Sequence, residues 1–208
     1  VHDVPIERAR PAVATLLDEY APGQKGRPLT RMMLRRLLHS AFRMGGPENA
    51  SRLMRVAANE SLDQNERLEA LRLLSVWTNP PKVDQSLGRL APLEARELAE
   101  IKSTLEIEIV PLLGLKDEIL AAAIGLVTQY NLSTKSLDVP GLTLLLGVKD
   151  LGSRARSRML NLLAKHNPKN LQDLLLGYTE DQDAQLCATA LSLLADQFPE
   201  AALEPVTK

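Results

Sequence analysis

The stretch Asn65-Glu-Arg-Leu-Glu-Ala-Leu-Arg-Leu-Leu-Ser-Val-Trp77 decides the fold class of this chain. Its apolar residues recur at the three- and four-residue spacing that places them on one face of an α-helix. Similar amphipathic stretches occupy residues 117–130, 153–166 and 183–198, and each follows another helical stretch that ends in a polar break. A recurrence of roughly 30 to 50 residues is typical of stacked helical repeats. The sequence therefore predicts an all-α protein.

The pattern further predicts a single domain, residues 1–208, that forms an α-α superhelix of about five HEAT-like helical hairpins. The hairpins are expected at residues 4–46, 47–78, 93–131, 139–167 and 168–198, with an insertion loop at residues 78–92. Pro80-Pro81 ends a helix there, and Gly88 and Pro92 favour irregular structure. Because the chain begins at Val1 without an initiator Met, we expect a fragment or processed form of a larger protein.

Capping signals and helix breakers set the predicted helix boundaries. Met33 is placed on the apolar face of the second helix. Asp63 and Glu66 have the spacing of a capping box at the start of the fourth helix. A fifth helix is expected over residues 93–113, with Pro111 bending or stopping it near its end, and Pro168 is expected to begin the ninth helix. These boundaries give ten helices in five pairs.

Composition excludes broad classes of function. The formal net charge is -1, so no overall field favours nucleic acid or a membrane surface. The longest apolar run, residues 119–127, is far shorter than the roughly 18 residues of a membrane span. The single cysteine, Cys187, excludes an internal disulfide and a cysteine-based zinc site, and its aliphatic surroundings predict a small buried side chain.

Motifs for cofactor or metal binding are incomplete in this sequence. His2, His39 and His166 lie on separate elements and match no metal-binding spacing. Gly23-Gln-Lys-Gly26 lacks the rest of a phosphate-binding loop, and Asp181-Gln-Asp183 lacks the glycine and terminal glutamate of a calcium loop. We therefore expect no cofactor, no metal and no catalytic residues in this chain.

Charge is distributed unevenly along the sequence. The N-terminal part is basic and the C-terminal part is acidic. Solvated outer helix faces explain this distribution most simply, and docking of an acidic partner at the basic end is the functional interpretation. If a partner binds, the candidate residues are Arg31, Arg35, Arg52, Arg55, Asp84 and Arg89.

A resemblance rests on residues 2–93. They include His2-Asp-Val-Pro-Ile6, Phe42-Arg-Met-Gly-Gly-Pro-Glu-Asn-Ala50, Ala57-Ala-Asn-Glu-Ser61 and Arg67-Leu-Glu-Ala-Leu71, followed by Trp77, Pro80-Pro81, Asp84, Gly88 and Pro92-Leu93. This region resembles the HEAT-repeat (armadillo-like) segment of planctomycete and verrucomicrobial proteins. Those proteins also contain a glucose or sorbosone dehydrogenase-like β-propeller and a c-type cytochrome domain with a Cys-x-x-Cys-His haem motif. The resemblance implies an extracytoplasmic, periplasmic location.

Two functions from different classes follow. The resemblance implies a non-catalytic scaffold that docks or spaces domains of a larger haem-containing sugar dehydrogenase-like protein, with protein as the partner. The alternative is a DNA-binding repeat protein of the alkylpurine glycosylase type, which would carry Arg and Lys along one concave face. The near-neutral charge and the low aromatic content, 3%, disfavour nucleic acid.

Overall fold

A computed structural model describes residues 7–115, 117–134, 137–148 and 151–206. Within these residues helices form nearly all of the regular structure, which confirms the prediction of an all-α protein. The α-helices are α1 (Arg10–Thr15), α2 (Arg31–Met44), α3 (Gly46–Ala58), α4 (Gln64–Ser75), α5 (Lys102–Glu108), α6 (Asp117–Tyr130), α7 (Val139–Leu146), α8 (Ser153–His166), α9 (Leu171–Tyr178), α10 (Ala184–Gln197) and α11 (Pro199–Val206). Short 3-10 helices are Glu7–Ala9, Leu16–Tyr20, Leu98–Glu100 and Val110–Gly114, and the strands are β1 (Val83–Asp84) and β2 (Arg89–Leu90).

The helices contact one another in a regular order. α2 packs on α4, α4 on α6, α6 on α8 and α8 on α10. We call these five helices the even row. Other helices pack against it: α1 on α2, α3 on α2 and α4, α7 on α8, and α9 and α11 on α10, whereas α5 packs on α3. The helix that precedes α6 and packs on it is the 3-10 helix Val110–Gly114, where the other pairs have an α-helix.

The core is aliphatic, as the low aromatic content requires. Ala41, Leu71, Ile124 and Leu160 are fully or almost fully buried, and each belongs to a different helix of the even row. Small and medium side chains let neighbouring helices approach closely and still fill the space between them. Trp77 is also completely buried, as its position at the end of an apolar stripe predicts.

Two predictions at helix N-termini are wrong. Met33 is half exposed. Residues such as Leu34, Leu38 and Ala41 form the buried face of α2, and Met33 lies outside that face. Asp63 does precede α4, but its side chain accepts no hydrogen bond from any described backbone amide. Glu66 instead pairs with Arg31, its Oε1 lying 2.9 Å from Nε, so an ion pair between helices replaces the capping box.

The predicted fifth helix over residues 93–113 is also wrong in extent. α5 covers only Lys102–Glu108, and Val110–Gly114 is a 3-10 helix. Pro111 has no amide hydrogen and cannot continue an α-helix, which explains the change. Upstream, Arg96 N donates to Thr78 O at 3.2 Å, so this segment is held to the insertion. Likewise α9 begins at Leu171, not at Pro168.

The insertion is more regular than the sequence suggests. β1 and β2 pair antiparallel, with Val83 opposite Leu90. Gly88 has a φ of +65°, which the tight turn between the strands requires. Asp84 is buried and accepts hydrogen bonds from Ser86 N at 3.0 Å and Ser86 Oγ at 2.6 Å. The insertion is therefore a small hairpin fixed from within.

Candidate functional site

A concave groove runs along the even row. Its volume is about 1180 Å³, and residues from α2, α4, α6, α8 and α10 all line it. Small side chains on α6, among them Ala122 and Gly125, contribute to the lining between α4 and α8. Since every helix of the row contributes, the groove is a property of the helix order and not of one loop.

Helical spacing supplies the charged side chains of the groove. Arg31 and Arg35 are four residues apart on α2, and Arg154 and Arg158 have the same spacing on α8. Lys165 lies seven residues after Arg158, two turns further along the same face. Residues at this spacing share one face of a helix, so both helices present cations to the groove.

At the α2–α4 end, carboxylates lie beneath the arginines. Glu66 contacts Arg31, and Glu69 is the centre of a larger cluster. Arg72 donates to both oxygens of Glu69, at 2.6 and 2.9 Å, and Arg35 Nε lies 3.7 Å from Oε1. These contacts fix the guanidinium groups against α4.

His39 contributes a further hydrogen bond to Glu69. Its Nε2 lies 2.8 Å from Glu69 Oε1. A carboxylate only accepts hydrogen bonds, so Nε2 carries the hydrogen and donates it. Burial alone raises the pKa of Glu69, but the hydrogen bonds and charges of Arg72 and His39 outweigh burial and lower it to about 2. Glu69 is therefore ionised at any physiological pH.

At the α6–α8 end, Arg158 lies across Gly125. A Cβ at residue 125 would come within 2.6 Å of Arg158 Nη1, so glycine provides the space. Arg158 Nη1 donates to the backbone oxygen of Ala121. Burial lowers the pKa of Arg158, and the nearby charge of Arg154 lowers it further. Arg154 itself pairs with Glu118 at 3.1 Å.

The candidate partner-binding residues do not form one surface. Arg31 and Arg35 line the groove. Arg52 and Arg55 lie on α3, where Arg52 Nε is 3.1 Å and Arg55 Nη1 is 4.0 Å from Asp18 Oδ1. The two pairs therefore belong to different parts of the molecule.

The remaining two candidates are on the hairpin. Asp84 and Arg89 are cross-strand partners in β1 and β2. The Asp84 carboxylate is buried next to Arg43, with Nε 3.4 Å from Oδ2, and this burial keeps it from contact with a partner. Arg43 also donates to Ala91 O at 3.0 Å, which ties the insertion to the end of α2.

Several arginines of the basic N-terminal part form ion pairs with acidic residues. Arg27 pairs with Glu19, Arg31 with Glu66 and Arg52 with Asp18. Sequence reasoning missed the cations of α8, which lie in the groove. Their signal was present in Ser153-Arg-Ala-Arg-Ser-Arg158, where arginines alternate and no acidic residue intervenes.

Cys187 is only partly buried, and its thiol donates to Thr179 O at 2.9 Å. His2 lies outside the described residues. In the ranges that the structure describes, no three His, Cys, Asp or Glu side chains come together as metal ligands. None of the helices in those ranges has both the length and the apolar character needed to cross a bilayer. Comparisons with protein-family models, curated proteins and solved structures found no match.

Proposed function

We propose that this chain is a non-catalytic helical-repeat module that binds a segment of another protein in the groove. The observation that carries the proposal is that all five helices of the even row line one open groove. Such a surface suits an elongated partner, which contacts several helices at once.

The proposal includes a HEAT-like α-α superhelix of about five hairpins. The successive contacts along the even row support it, because stacked repeats contact mainly their sequence neighbours. The pairings of α1 with α2, α3 with α4, α7 with α8, and α9 with α10 support the hairpins. The third hairpin depends on the 3-10 helix Val110–Gly114 in place of a full first helix.

For the partner, we propose neighbouring domains of a larger haem-containing sugar dehydrogenase-like protein. This part rests on the resemblance of residues 2–93 to the HEAT-repeat segment of such proteins. The module would dock or space those domains, and the parent protein would perform the chemistry.

The alternative is a DNA-binding repeat protein of the alkylpurine glycosylase type. The arginines of α2 and α8 favour it, because phosphate binding needs cations along a groove. Trp77, the one tryptophan, is completely buried and is not exposed to stack on a base.

The test is a binding measurement with the domains encoded beside this chain in its open reading frame. Each is immobilised, and binding of the chain is followed by biolayer interferometry. The variant Ala122→Trp fills the middle of the groove and is expected to abolish binding. Ala12→Trp, on the exposed side of α1, is the matched control and should bind normally. Equal binding by both variants would reject the groove, and base release from alkylated duplex DNA would favour the glycosylase.

A further inference from the structure

Cations and carboxylates of the groove differ sharply in exposure. The Arg31 side chain is 72% exposed, whereas its partner Glu66 is 7% exposed. Arg35 is 50% exposed, and Glu69 beneath it is 18% exposed. An incoming ligand therefore meets guanidinium groups at this end of the groove, although the local charges nearly balance.

The buried carboxylates hold the arginines in place without using all of their donors. Arg31 turns Nε toward Glu66, and a guanidinium has five N–H donors, so others stay available. Arg35 Nε lies 3.7 Å from Glu69 Oε1, an ion pair without a hydrogen bond, so the donors of Arg35 are also available. A side chain that is already oriented loses less conformational entropy when a ligand binds. The α2–α4 end is thus prepared to accept an anionic group.

The α8 end offers a second group of cations. Arg154 is 60% exposed, and its partner Glu118 is exposed as well, so this ion pair is weak. Arg158, one helical turn after Arg154, lies over Gly125 and donates to the backbone oxygen of Ala121. Among the carboxylates that the structure describes, none forms an ion pair with Arg158. A carboxylate bound between the two arginines would relieve their mutual repulsion.

Neutral residues of α6 separate the two groups of cations. The lining there includes Ala122, Gly125 and Thr128. From α2 to α8 there are three helix-to-helix steps of about 8–10 Å, or roughly 25–30 Å in total. An extended peptide rises about 3.3 Å per residue, so roughly eight or nine residues bridge that distance.

We propose that the groove recognises an extended acidic peptide segment, with carboxylates at both ends that bind Arg31 and Arg35 on α2 and Arg154 and Arg158 on α8. This inference rests on the proposed protein-binding function and specifies the chemistry of the partner. Bidentate pairing of arginine with carboxylate gives the binding its strength and its register. A nucleic acid fits less well, because the described residues that line the groove include no aromatic side chain for base stacking.

The experiment uses three fluorescein-labelled peptides that share a Gly-Ser spacer of about six residues. With three residues on each side of the spacer, the middle residues of the two ends lie about nine residues apart, close to the span of the groove. One carries three glutamates at each end, and the others carry glutamines or lysines instead. Fluorescence anisotropy measures binding to the full chain. We expect the glutamate peptide to bind more tightly than both others, with an affinity that falls as salt rises.

Single variants test the two ends of the groove. Arg35→Gln and Arg154→Gln are each expected to weaken binding of the glutamate peptide by roughly three- to tenfold. Arg27→Gln is the matched control, because Arg27 also forms an exposed ion pair, with Glu19, but lies outside the groove, and it should leave the affinity unchanged. Circular dichroism spectra and thermal melts verify that every variant is folded.

Three results would overturn the proposal. They are equal affinity for the glutamate and glutamine peptides, equal weakening by Arg27→Gln and the groove variants, or tighter binding of a single-stranded oligonucleotide at the same ionic strength. If Ala122→Trp still blocks the natural partner while Arg35→Gln and Arg154→Gln do not weaken it, the acidic specificity is wrong and the protein-binding function stands.

Discussion

Replacement of Glu69 by glutamine tests the ion-pair cluster beneath the groove. Glutamine keeps the size of the side chain but removes its charge and replaces one acceptor oxygen by an NH2 donor, so Arg72, His39 and Arg35 lose their shared carboxylate. The pKa of Glu69 is about 2, against an ordinary value of 4.5. At about 1.4 kcal/mol per pKa unit, this difference corresponds to roughly 3.5 kcal/mol of stabilisation at neutral pH. Solvent screening near the groove reduces our expected loss to about 2 kcal/mol.

The lowered pKa of Glu69 also predicts how the loss of stability in Glu69→Gln changes with pH. A carboxyl group with a lower pKa in the folded chain stabilises the fold above the pKa of the unfolded chain. This stabilisation disappears as the pH falls from about 4.5 towards about 2. The difference in unfolding free energy between the wild type and Glu69→Gln should therefore be largest near pH 7. It should fall to less than half of that value at about pH 2.5.

Urea denaturation followed by circular dichroism measures both quantities. Glu48→Gln is the matched control, because Glu48 lies on the exposed surface of α3 and its loss should cost no more than about 0.5 kcal/mol. The reasoning is refuted if Glu69→Gln is as stable as the wild type at pH 7. A destabilisation that stays constant from pH 7 to pH 2.5 would equally refute it, since the ionised carboxylate would then not be its cause.

Three further substitutions test other contacts. Trp77→Ala removes a fully buried ring whose centroid lies 4.7 Å from Arg96 Cζ, and it should lower the free energy of unfolding by about 3 to 5 kcal/mol, measured by urea denaturation. A loss under about 1 kcal/mol would contradict this packing. Asn59→Ala leaves three backbone oxygens without their shared donor and should cost about 2 to 3 kcal/mol in the same assay, whereas a neutral result would show that water replaces the amide. Gly125→Ala should keep or raise the melting temperature, since alanine favours helix by up to about 1 kcal/mol. Its methyl group displaces the Arg158 guanidinium, so the anisotropy assay should show weaker glutamate-peptide binding, and unchanged affinity would remove Arg158 from the site.

Local sequence patterns predicted the helical character of the chain well. The apolar spacing in 65–77 corresponds to α4, and Trp77 is buried as expected. Such patterns succeed because the period of a helix and the burial of one face follow from neighbouring residues. The broken fifth helix shows the limit, since Pro111 signalled a change but the sequence did not reveal that 3-10 turns would flank α5.

The sequence by itself determined that the chain is all-α, because helical periodicity is a local property. Only the tertiary structure decided which charges meet, because Arg31 and Glu66 are brought together by the packing of α2 on α4. The same holds for Arg158 and Gly125, which meet where α8 crosses α6. The spacing within α2 and α8 places the arginines on one face of each helix, but only contacts between residues distant along the chain bring those faces together as one groove.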